Sequence, residues 1–236
     1  MHFEIIRQWL QLCDDKNQHP MCKPADQKPR CLPTRLIDVG GEGEEHVRLW
    51  ETGPKDTADY IALSHPWGQG PHFVTSVSNL AQHKEGIKVT DLPSTFKDAI
   101  ITTRALSKRY LWIDSICIIQ GPGGDFASEA KKMENVFSSA YCVIAASRAH
   151  SQIDGFLNDR REREYVTIQK GSDPPFYICE HIDNFDRHVL NGHLSKRGWV
   201  LQEHALARRT VFFTEHQTYW ECGDGVRCET LTKMSK

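Results

Sequence analysis

Two apolar runs, each leading into polar residues, most constrain the fold of this chain. Residues 60–64 read YIALS and residues 110–119 read YLWIDSICII. Runs of this length are typical of buried strands, and residues at helical spacing lie between them, at Phe96, Ala99 and Ile100. Strands that alternate with helices pair in parallel through right-handed crossovers. The sequence therefore predicts an α/β fold built on an open, mostly parallel sheet with helices on both faces.

Later segments extend this pattern. Apolar residues recur at helical spacing over residues 126–140, which predicts an amphipathic helix with Met133 in the core and Glu129 exposed to solvent. A third strand is predicted at 141–147. Two more core strands are predicted at 210–214 and 218–221.

The core has two additions, one before it and one inserted within it. A helix over residues 3–13 and a hairpin of strands 36–39 and 47–50 predict an amino-terminal appendage spanning 1–55. The α/β domain then spans 56–236, with an insertion at about 148–194. Strands at 165–168 and 176–179 predict a small β-hairpin within that insertion, packed over the edge of the sheet.

Charge and hydropathy exclude several classes of protein. The net charge is −2 and the isoelectric point is about 6.6, so the chain lacks the positive charge that holds nucleic acid. No apolar run approaches the roughly 20 residues that span a bilayer. Glu4 and Arg7 interrupt the segment where a signal peptide would be apolar, so we expect a cytoplasmic protein.

The eight cysteines fit a reducing compartment. Cys117, Cys142 and Cys179 lie in apolar runs, where a thiol usually acts as a small buried hydrophobe.

A loop-rich segment also contains four residues of metal-binding type, Cys13, His19, Cys22 and Cys31. Their spacing matches no tight zinc pattern, so we expect local packing and no metal, with zinc as the alternative. Cys222 and Cys228 form a second, equally weak pair.

Three motifs in order, with a fourth ahead of them, carry a family resemblance. The motifs are LPTRLID, ALSHPWG, LWIDSICIIQ and RGWVLQE, and the resemblance covers roughly residues 33 to 221. Together they resemble the heterokaryon-incompatibility (HET) domains of filamentous fungi. The resemblance implies an intracellular fungal protein of non-self recognition and regulated cell death, with other incompatibility proteins and further copies of itself as partners. Pro66 and Ile119 depart from the pattern, where cysteine and asparagine are common.

These motifs are also similar, more distantly, to Toll/interleukin-1 receptor (TIR) domains. The strand 60–64 ends in serine, and Trp199 and Glu203 match the W-x-x-x-E signature, which places both on one helix face. The similarity implies a flavodoxin/TIR-like sheet. It also implies that Glu203 is the catalytic residue for cleaving NAD at the nicotinamide bond. NAD is then the substrate, and no separate cofactor is required. Arg197 replaces a serine common in TIR domains, with Ser195 nearby.

The remaining binding candidates follow from the chemistry of NAD. An indole can stack on a flat ring, polar groups at strand ends can hold the sugar, and an arginine can meet the pyrophosphate. The predicted binding residues are Ser64, His65, Trp67, Gly68, Asp114, Gln120, Arg197 and Trp199, with Arg209 as a second arginine.

Structural roles remain open for several of these residues. Asp114 could hold a ribose or accept hydrogen bonds from backbone amides, and His65 and Gln120 carry the same ambiguity. The alternative for Trp199 and Glu203 is that they stabilise the 195–199 loop. A non-enzymatic, self-associating adaptor is therefore the alternative function. No G-x-S-x-G elbow supports an esterase or protease.

Overall fold

A computed structural model describes residues 3–15, 19, 22, 32–160, 164–196 and 203–234. The strands are β1 (Arg35–Asp38), β2 (His46–Glu51), β3 (Tyr60–Ser64), β4 (Thr75–Ser76), β5 (Ile87–Lys88), β6 (Tyr110–Trp112), β7 (Ile119–Gln120), β8 (Cys142–Ala145), β9 (Tyr165–Ile168), β10 (Phe176–Cys179), β11 (Arg209–Phe213), β12 (Thr218–Cys222), β13 (Gly225–Cys228) and β14 (Lys233–Met234). The helices are α1 (Phe3–Asp14), α2 (Leu80–Glu85), α3 (Ser94–Ala105), α4 (Asp114–Cys117), α5 (Phe126–Glu129), α6 (Met133–Ser139) and α7, described over 203–206. Short 3-10 turns lie at Val89–Asp91, Ala130–Lys132 and Leu194–Lys196, and a π-helical turn lies at Asp186–Leu190.

Ten strands form one mixed sheet in the order β14-β13-β12-β11-β8-β3-β6-β1-β2-β5. The three pairings among β11, β8, β3 and β6 are parallel, whereas the other six are antiparallel. The α/β class is confirmed, but the prediction of a mostly parallel sheet is wrong. Hairpin strands need no crossover helix, and they extend the parallel centre on both sides.

The two apolar runs behave differently. Residues 60–64 form β3 with every residue buried, as predicted. The second run is a strand only over β6, and the following residues turn into the helix α4. Ile113, Ile116 and Cys117 are all buried, and their spacing suits one face of a helical turn as well as a strand. The predicted strand over 113–119 is therefore wrong, apart from the two-residue β7.

Helices cover both faces of the sheet. On one face, the Tyr60 hydroxyl donates a 2.5 Å hydrogen bond to the backbone oxygen of Val136 in α6. On the other face, the His65 ring meets Phe96 of α3 edge-on, at 5.1 Å between centroids. Because β3 side chains alternate between faces, Tyr60, Ala62 and Ser64 share the face that α6 covers.

The predicted helix over 126–140 is broken into α5, a 3-10 turn and α6. Phe126 is 53% exposed, whereas Glu129 is only 7% exposed, so the prediction of a solvent-facing Glu129 is wrong. Its carboxylate accepts a hydrogen bond of 2.8 Å from Thr34 and pairs with Lys132 at 2.7 Å. The burial arises from a loop 95 residues earlier in the chain.

The amino-terminal hairpin joins the main sheet, because β1 pairs with β6 as well as with β2. The helix α1 packs on β12, where Trp9 stacks on Trp220 at 6.1 Å. These segments are thus continuous with the core, and the domain division at residue 55 stays a prediction.

The hairpin predicted within the insertion is present as β9 and β10, which pair with each other in a separate two-stranded sheet. Every residue of both strands is exposed. Among the described residues, no helix is long and apolar enough to cross a bilayer.

Candidate functional site

Polar side chains meet where the parallel strands end. The strand β3 ends at Ser64 and continues into His65 and Trp67, while β6 leads into Asp114 at the start of α4. These strands are neighbours and parallel, so both of their carboxyl ends lie at the same edge of the sheet. Such an edge is where open α/β sheets usually bind ligands.

Glu203 reaches this edge from far along the chain. The Ser64 hydroxyl donates a short hydrogen bond to Oε2 of Glu203, 139 residues later. Both side chains are nearly buried, with exposures of 4% for Ser64 and 7% for Glu203. The structure thus brings together the strand-end serine and the acid that the sequence selected.

The helix α7 holds Glu203 in place through its next residue. His204 Nε2 forms a short contact with Oε2 of Glu221 in β12. Phe212 of β11 lies opposite Ala145, which lies opposite Ser64, so these three side chains share one face of the sheet. Thr210, two residues before Phe212, is on the same face and pairs with Glu221, so Glu221 lies on the face that carries Ser64. Glu203 and His204 of α7 therefore contact side chains of two strands of the same sheet, β3 and β12.

Asp114 is engaged by protein groups. Its Oδ2 accepts a 2.7 Å hydrogen bond from Trp67 Nε1, and its Oδ1 accepts one of 2.7 Å from the backbone amide of Ser115. His65 Nδ1 lies 3.8 Å from the same Oδ1. These contacts favour the structural role for Asp114, which fixes the indole of Trp67, three residues after Ser64.

Gly68 and Gln120 also have structural partners. Gly68 adopts φ +79°, and a Cβ there would lie 2.3 Å from Cβ of Ser151, so a side chain has no room. The Gln120 side-chain amide donates to the backbone oxygens of Ile118 at 3.2 Å and Asp114 at 3.4 Å. The loops after β3, β6 and β8 are therefore packed against one another at this edge.

Of the two predicted arginines, the structure describes only Arg209. Arg197 lies outside the described residues, as does Trp199. Arg209 is 5% exposed and pairs with Asp14 at 2.7 Å, with its guanidinium over the Tyr141 ring. Burial, the largest single cause, lowers the pKa of Arg209, but the hydrogen bond to Asp14 and the attraction of nearby acidic groups together outweigh it, so the pKa is raised.

Arg209 does not lie at the edge of the sheet where Ser64 lies. It begins β11, whereas Phe212 of that strand lies level with Ser64. Three residues of strand span about 10 Å, so Arg209 lies toward the opposite edge. The prediction that it meets a pyrophosphate beside Ser64 is wrong.

A cavity of about 1050 Å³ lies between the β9–β10 hairpin and the core. Its lining includes Arg148, Tyr165, Ile178, Glu215 and His216. Among the described residues of the predicted site, none lines this cavity.

Sequence reasoning missed one association. Cys13, His19 and Cys22, which were grouped as a weak metal candidate, meet Cys222 at the end of β12. The predicted fourth member, Cys31, lies outside the described residues. Cys228, predicted as the partner of Cys222, instead contacts Thr230 Oγ1 at 3.0 Å. The only signal for Cys222 in the sequence was its residue type, because 200 residues separate it from Cys22.

Comparisons with known proteins give a family match. Residues 60–203 match the family model described as heterokaryon incompatibility protein (HET). The chain is also 24% identical over 192 residues to "Heterokaryon incompatibility protein 6, OR allele" of Neurospora crassa. That alignment covers 65% of this chain and 28% of the relative, so the chain spans only part of the relative's length. No solved structure matches the chain significantly.

Proposed function

This chain belongs to the heterokaryon incompatibility (HET) family, whose model matches more than half of it, and we propose that it is an effector domain that hydrolyses NAD. The bond cleaved is that between nicotinamide and ribose, and Glu203 is the catalytic residue. One observation carries the proposal, namely the hydrogen bond from Ser64 to Glu203 at the carboxyl edge of the parallel strands. The family membership supports the setting, a role in fungal incompatibility.

Cleavage of the nicotinamide–ribose bond requires one negative group beside the ribosyl carbon. When the C1′–N1 bond breaks, its electron pair goes to the nicotinamide nitrogen, and nicotinamide leaves as a neutral molecule. The ribosyl carbon becomes cationic, and a carboxylate beside it stabilises that charge. Water then attacks C1′ and loses a proton, which gives ADP-ribose. A nearly buried carboxylate suits this role, because electrostatic stabilisation is stronger where water is excluded.

Neighbouring groups have supporting roles in this proposal. The Ser64 hydroxyl orients the Glu203 carboxylate, and the Trp67 indole, held by Asp114, offers a flat apolar surface for a ring of the substrate. The resemblance of Trp199 and Glu203 to the W-x-x-x-E signature of TIR domains implies the same part for Glu203. For Trp199 and Arg197, stacking and pyrophosphate contact stay predictions.

The experiment incubates concentrated protein with NAD and measures free nicotinamide by chromatography. We expect release by the wild-type chain and a loss of about 100-fold or more in Glu203→Gln. The glutamine side chain keeps an oxygen that can accept the Ser64 hydroxyl, so this variant should fold. Glu134→Gln is the matched control, because Glu134 is an exposed acid on α6 and its loss should leave release unchanged.

Two outcomes oppose the proposal. Release that persists in a folded Glu203→Gln variant would remove the catalytic assignment. No release by the wild-type chain, at any protein concentration tested, would oppose NAD hydrolysis itself.

A second function is favoured by a different observation, the exposed hairpin. Six large apolar side chains of β9 and β10 are each at least 50% exposed: Tyr165, Val166, Ile168, Phe176, Tyr177 and Ile178. Exposed apolar patches mark interaction sites, and no other described strand pairs with this hairpin, so its outer edges can pair with a further strand. This arrangement suits a second copy of the same chain, which presents an identical hairpin.

This alternative predicts self-association without chemistry. Sedimentation of the wild-type chain should show dimers or larger species, and Phe176→Ser with Tyr165→Ser should shift them toward monomer. Val77→Ser is the control, because Val77 is also largely exposed, at 58%, but lies outside the hairpin. A wild-type chain that stays monomeric at high concentration would count against the hairpin as a self-association surface.

A further inference from the structure

Four buried side chains with metal-binding atoms converge where α1 meets β12. Each of them contributes one sulfur or nitrogen atom, and all four atoms lie within 4.8 Å of one another. The residues are Cys13, His19, Cys22 and Cys222. Cys13 lies near the end of α1, and Cys222 is the last residue of β12. We propose that this cluster binds one zinc ion.

The distances between the four atoms support a tetrahedral ion. Zinc–sulfur bonds of 2.3 Å and zinc–nitrogen bonds of 2.0–2.1 Å place sulfurs about 3.8 Å apart, and sulfur and nitrogen about 3.6 Å apart. Cys13 and Cys22 have their sulfurs 3.7 Å apart. His19 Nδ1 lies 3.2 Å from the sulfur of Cys13 and 3.8 Å from those of Cys22 and Cys222. Four of the six distances between the ligand atoms are therefore close to those of a zinc site, and the other two, from the sulfur of Cys222 to those of Cys13 and Cys22, are at most 4.8 Å.

His19 also has the outer partner that metal-binding histidines usually have. Its Nδ1 faces the three sulfurs, and its Nε2 lies 3.4 Å from Oδ2 of Asp224. A carboxylate on the far nitrogen fixes the ring and makes the nearer nitrogen a better ligand. The backbone amide of Asp224 also lies 3.4 Å from the sulfur of Cys222, and an amide donor stabilises a thiolate. One short turn thus supports two of the four ligands.

The ligand set selects the metal and its role. Three thiolates and one imidazole are soft or borderline ligands, which favour zinc over magnesium or calcium. Four protein ligands close the coordination shell, and all four residues are buried. A closed, buried site leaves no position for substrate, so the zinc is structural.

A disulfide explains the cluster less well. The sulfurs of Cys13 and Cys22 are 3.7 Å apart, whereas bonded sulfurs are about 2.05 Å apart. Three cysteines and a histidine also exceed what one bridge uses. A thiol cluster in a reducing compartment stays reduced and available to a metal.

The zinc would join distant parts of the chain. His19 and Cys222 are 203 residues apart, and the ion fastens the segment after α1 to the last residue of β12, beside the Trp9–Trp220 stack. Cys222 pairs with Arg209, whereas Ser64 lies level with Phe212, so the cluster and the Ser64–Glu203 pair lie toward opposite edges of the sheet. The proposed zinc site is therefore separate from the proposed site of NAD hydrolysis.

The first test measures zinc in the full 236-residue chain, purified without a polyhistidine tag. Mass spectrometry of the metal should find about one zinc per chain. Cobalt should replace it and give the visible bands of a tetrahedral ion together with thiolate-to-cobalt charge transfer. A wild-type chain that binds neither metal after reduction and anaerobic refolding would overturn the proposal, as would a Cys13–Cys22 disulfide found by peptide mapping of protein purified under reducing conditions.

The second test identifies the ligands. Cys222→Ser should lose most of the zinc. Cys228→Ser should keep it, because Cys228 is a buried thiol in the next strand that contacts no member of the cluster among the described residues. Cys31→Ser tests whether Cys31, which the sequence grouped with Cys13, His19 and Cys22, is a ligand in place of Cys222. Full zinc in Cys222→Ser with loss in Cys31→Ser would contradict the assignment of Cys222.

The zinc proposal can also be tested on the wild-type chain, in case the variants fail to fold. A chelator added to the wild-type chain should lower its melting temperature, and added zinc should restore it. The control Cys228→Ser should respond in the same way. A wild-type melting temperature that neither chelator nor zinc changes would oppose a structural zinc.

Discussion

The Trp67 indole donates a 2.7 Å hydrogen bond to Oδ2 of Asp114, which ties the turn after β3 to the first residue of α4. Asp114 also accepts the Ser115 amide on its other oxygen. One carboxylate thus fixes two loops at the carboxyl edge of the parallel strands.

Replacing Asp114 should therefore destabilise the protein. Asp114→Ala leaves the Trp67 and Ser115 donors without this acceptor, which should lower the free energy of unfolding by about 1–3 kcal/mol. Asp114→Asn should cost less, because its single oxygen can still accept one of the two hydrogen bonds. Urea unfolding followed by tryptophan fluorescence measures both, and equal stability of all three proteins would contradict this role.

Ser64→Ala should also weaken the fold. It removes the hydroxyl that donates to Glu203 in a nearly buried setting, and the expected loss is about 1–3 kcal/mol of unfolding free energy. Thermal and urea unfolding of the purified variant measure the loss. The exposed Ser78→Ala is a control that should change stability little. Equal stability of both variants would show that the hydrogen bond contributes nothing.

Two glycines form a matched pair for testing the packing of the site loops. Gly68→Ala must adopt φ +79° and place its Cβ 2.3 Å from that of Ser151, whereas Gly70→Ala must adopt φ +98° with nothing within 4 Å. Both changes carry backbone strain of about 1 kcal/mol or more. Only Gly68→Ala adds a steric clash, so it should be clearly the less stable variant in urea unfolding. The reverse order would refute the close approach of these loops.

Acid should destabilise the protein in part through His188. Burial and the stacked ring of His216, 4.0 Å away, lower the pKa of His188 to about 4. An unfolded histidine has a pKa of about 6.5, so between these values the unfolded chain binds more protons. The contribution of neutral His188 is complete above pH 6.5 and is lost as the pH falls toward 4.

The measurement compares unfolding at pH 7 and pH 5. His188→Gln should lose less stability between these two pH values than the wild-type chain does. His181→Gln is the control, because the His181 side chain is 80% exposed. Identical pH dependence in all three proteins would rule out His188 as a contributor.

The elements that could be predicted from sequence are those set by local pattern. The run at 60–64 is apolar because both of its faces are covered, and α1 is marked by buried residues at helical spacing, Ile6, Trp9, Leu10 and Cys13. The hairpin of β9 and β10 was likewise marked by two short β-prone runs around a turn.

The remainder depends on contacts that no local pattern contains. Glu129 looks solvent-facing within its own helix, yet Thr34 covers it. The run after Trp112 suits strand and helix equally, and α4 forms there with Asp114 accepting the amide of Ser115. The meeting of Cys222 with Cys13 requires the whole sheet to be assembled, so spacing along the chain could not reveal it.

The mixed sheet has a consequence for how the chain folds. The hairpin of β1 and β2 and that of β11 and β12 join neighbours in sequence, and such local contacts form within microseconds. The parallel centre is expected to form later, because β3 pairs with β8 only after some 80 intervening residues have closed a loop. We therefore expect the antiparallel hairpins to form first and the loop entropy of the parallel centre to slow folding.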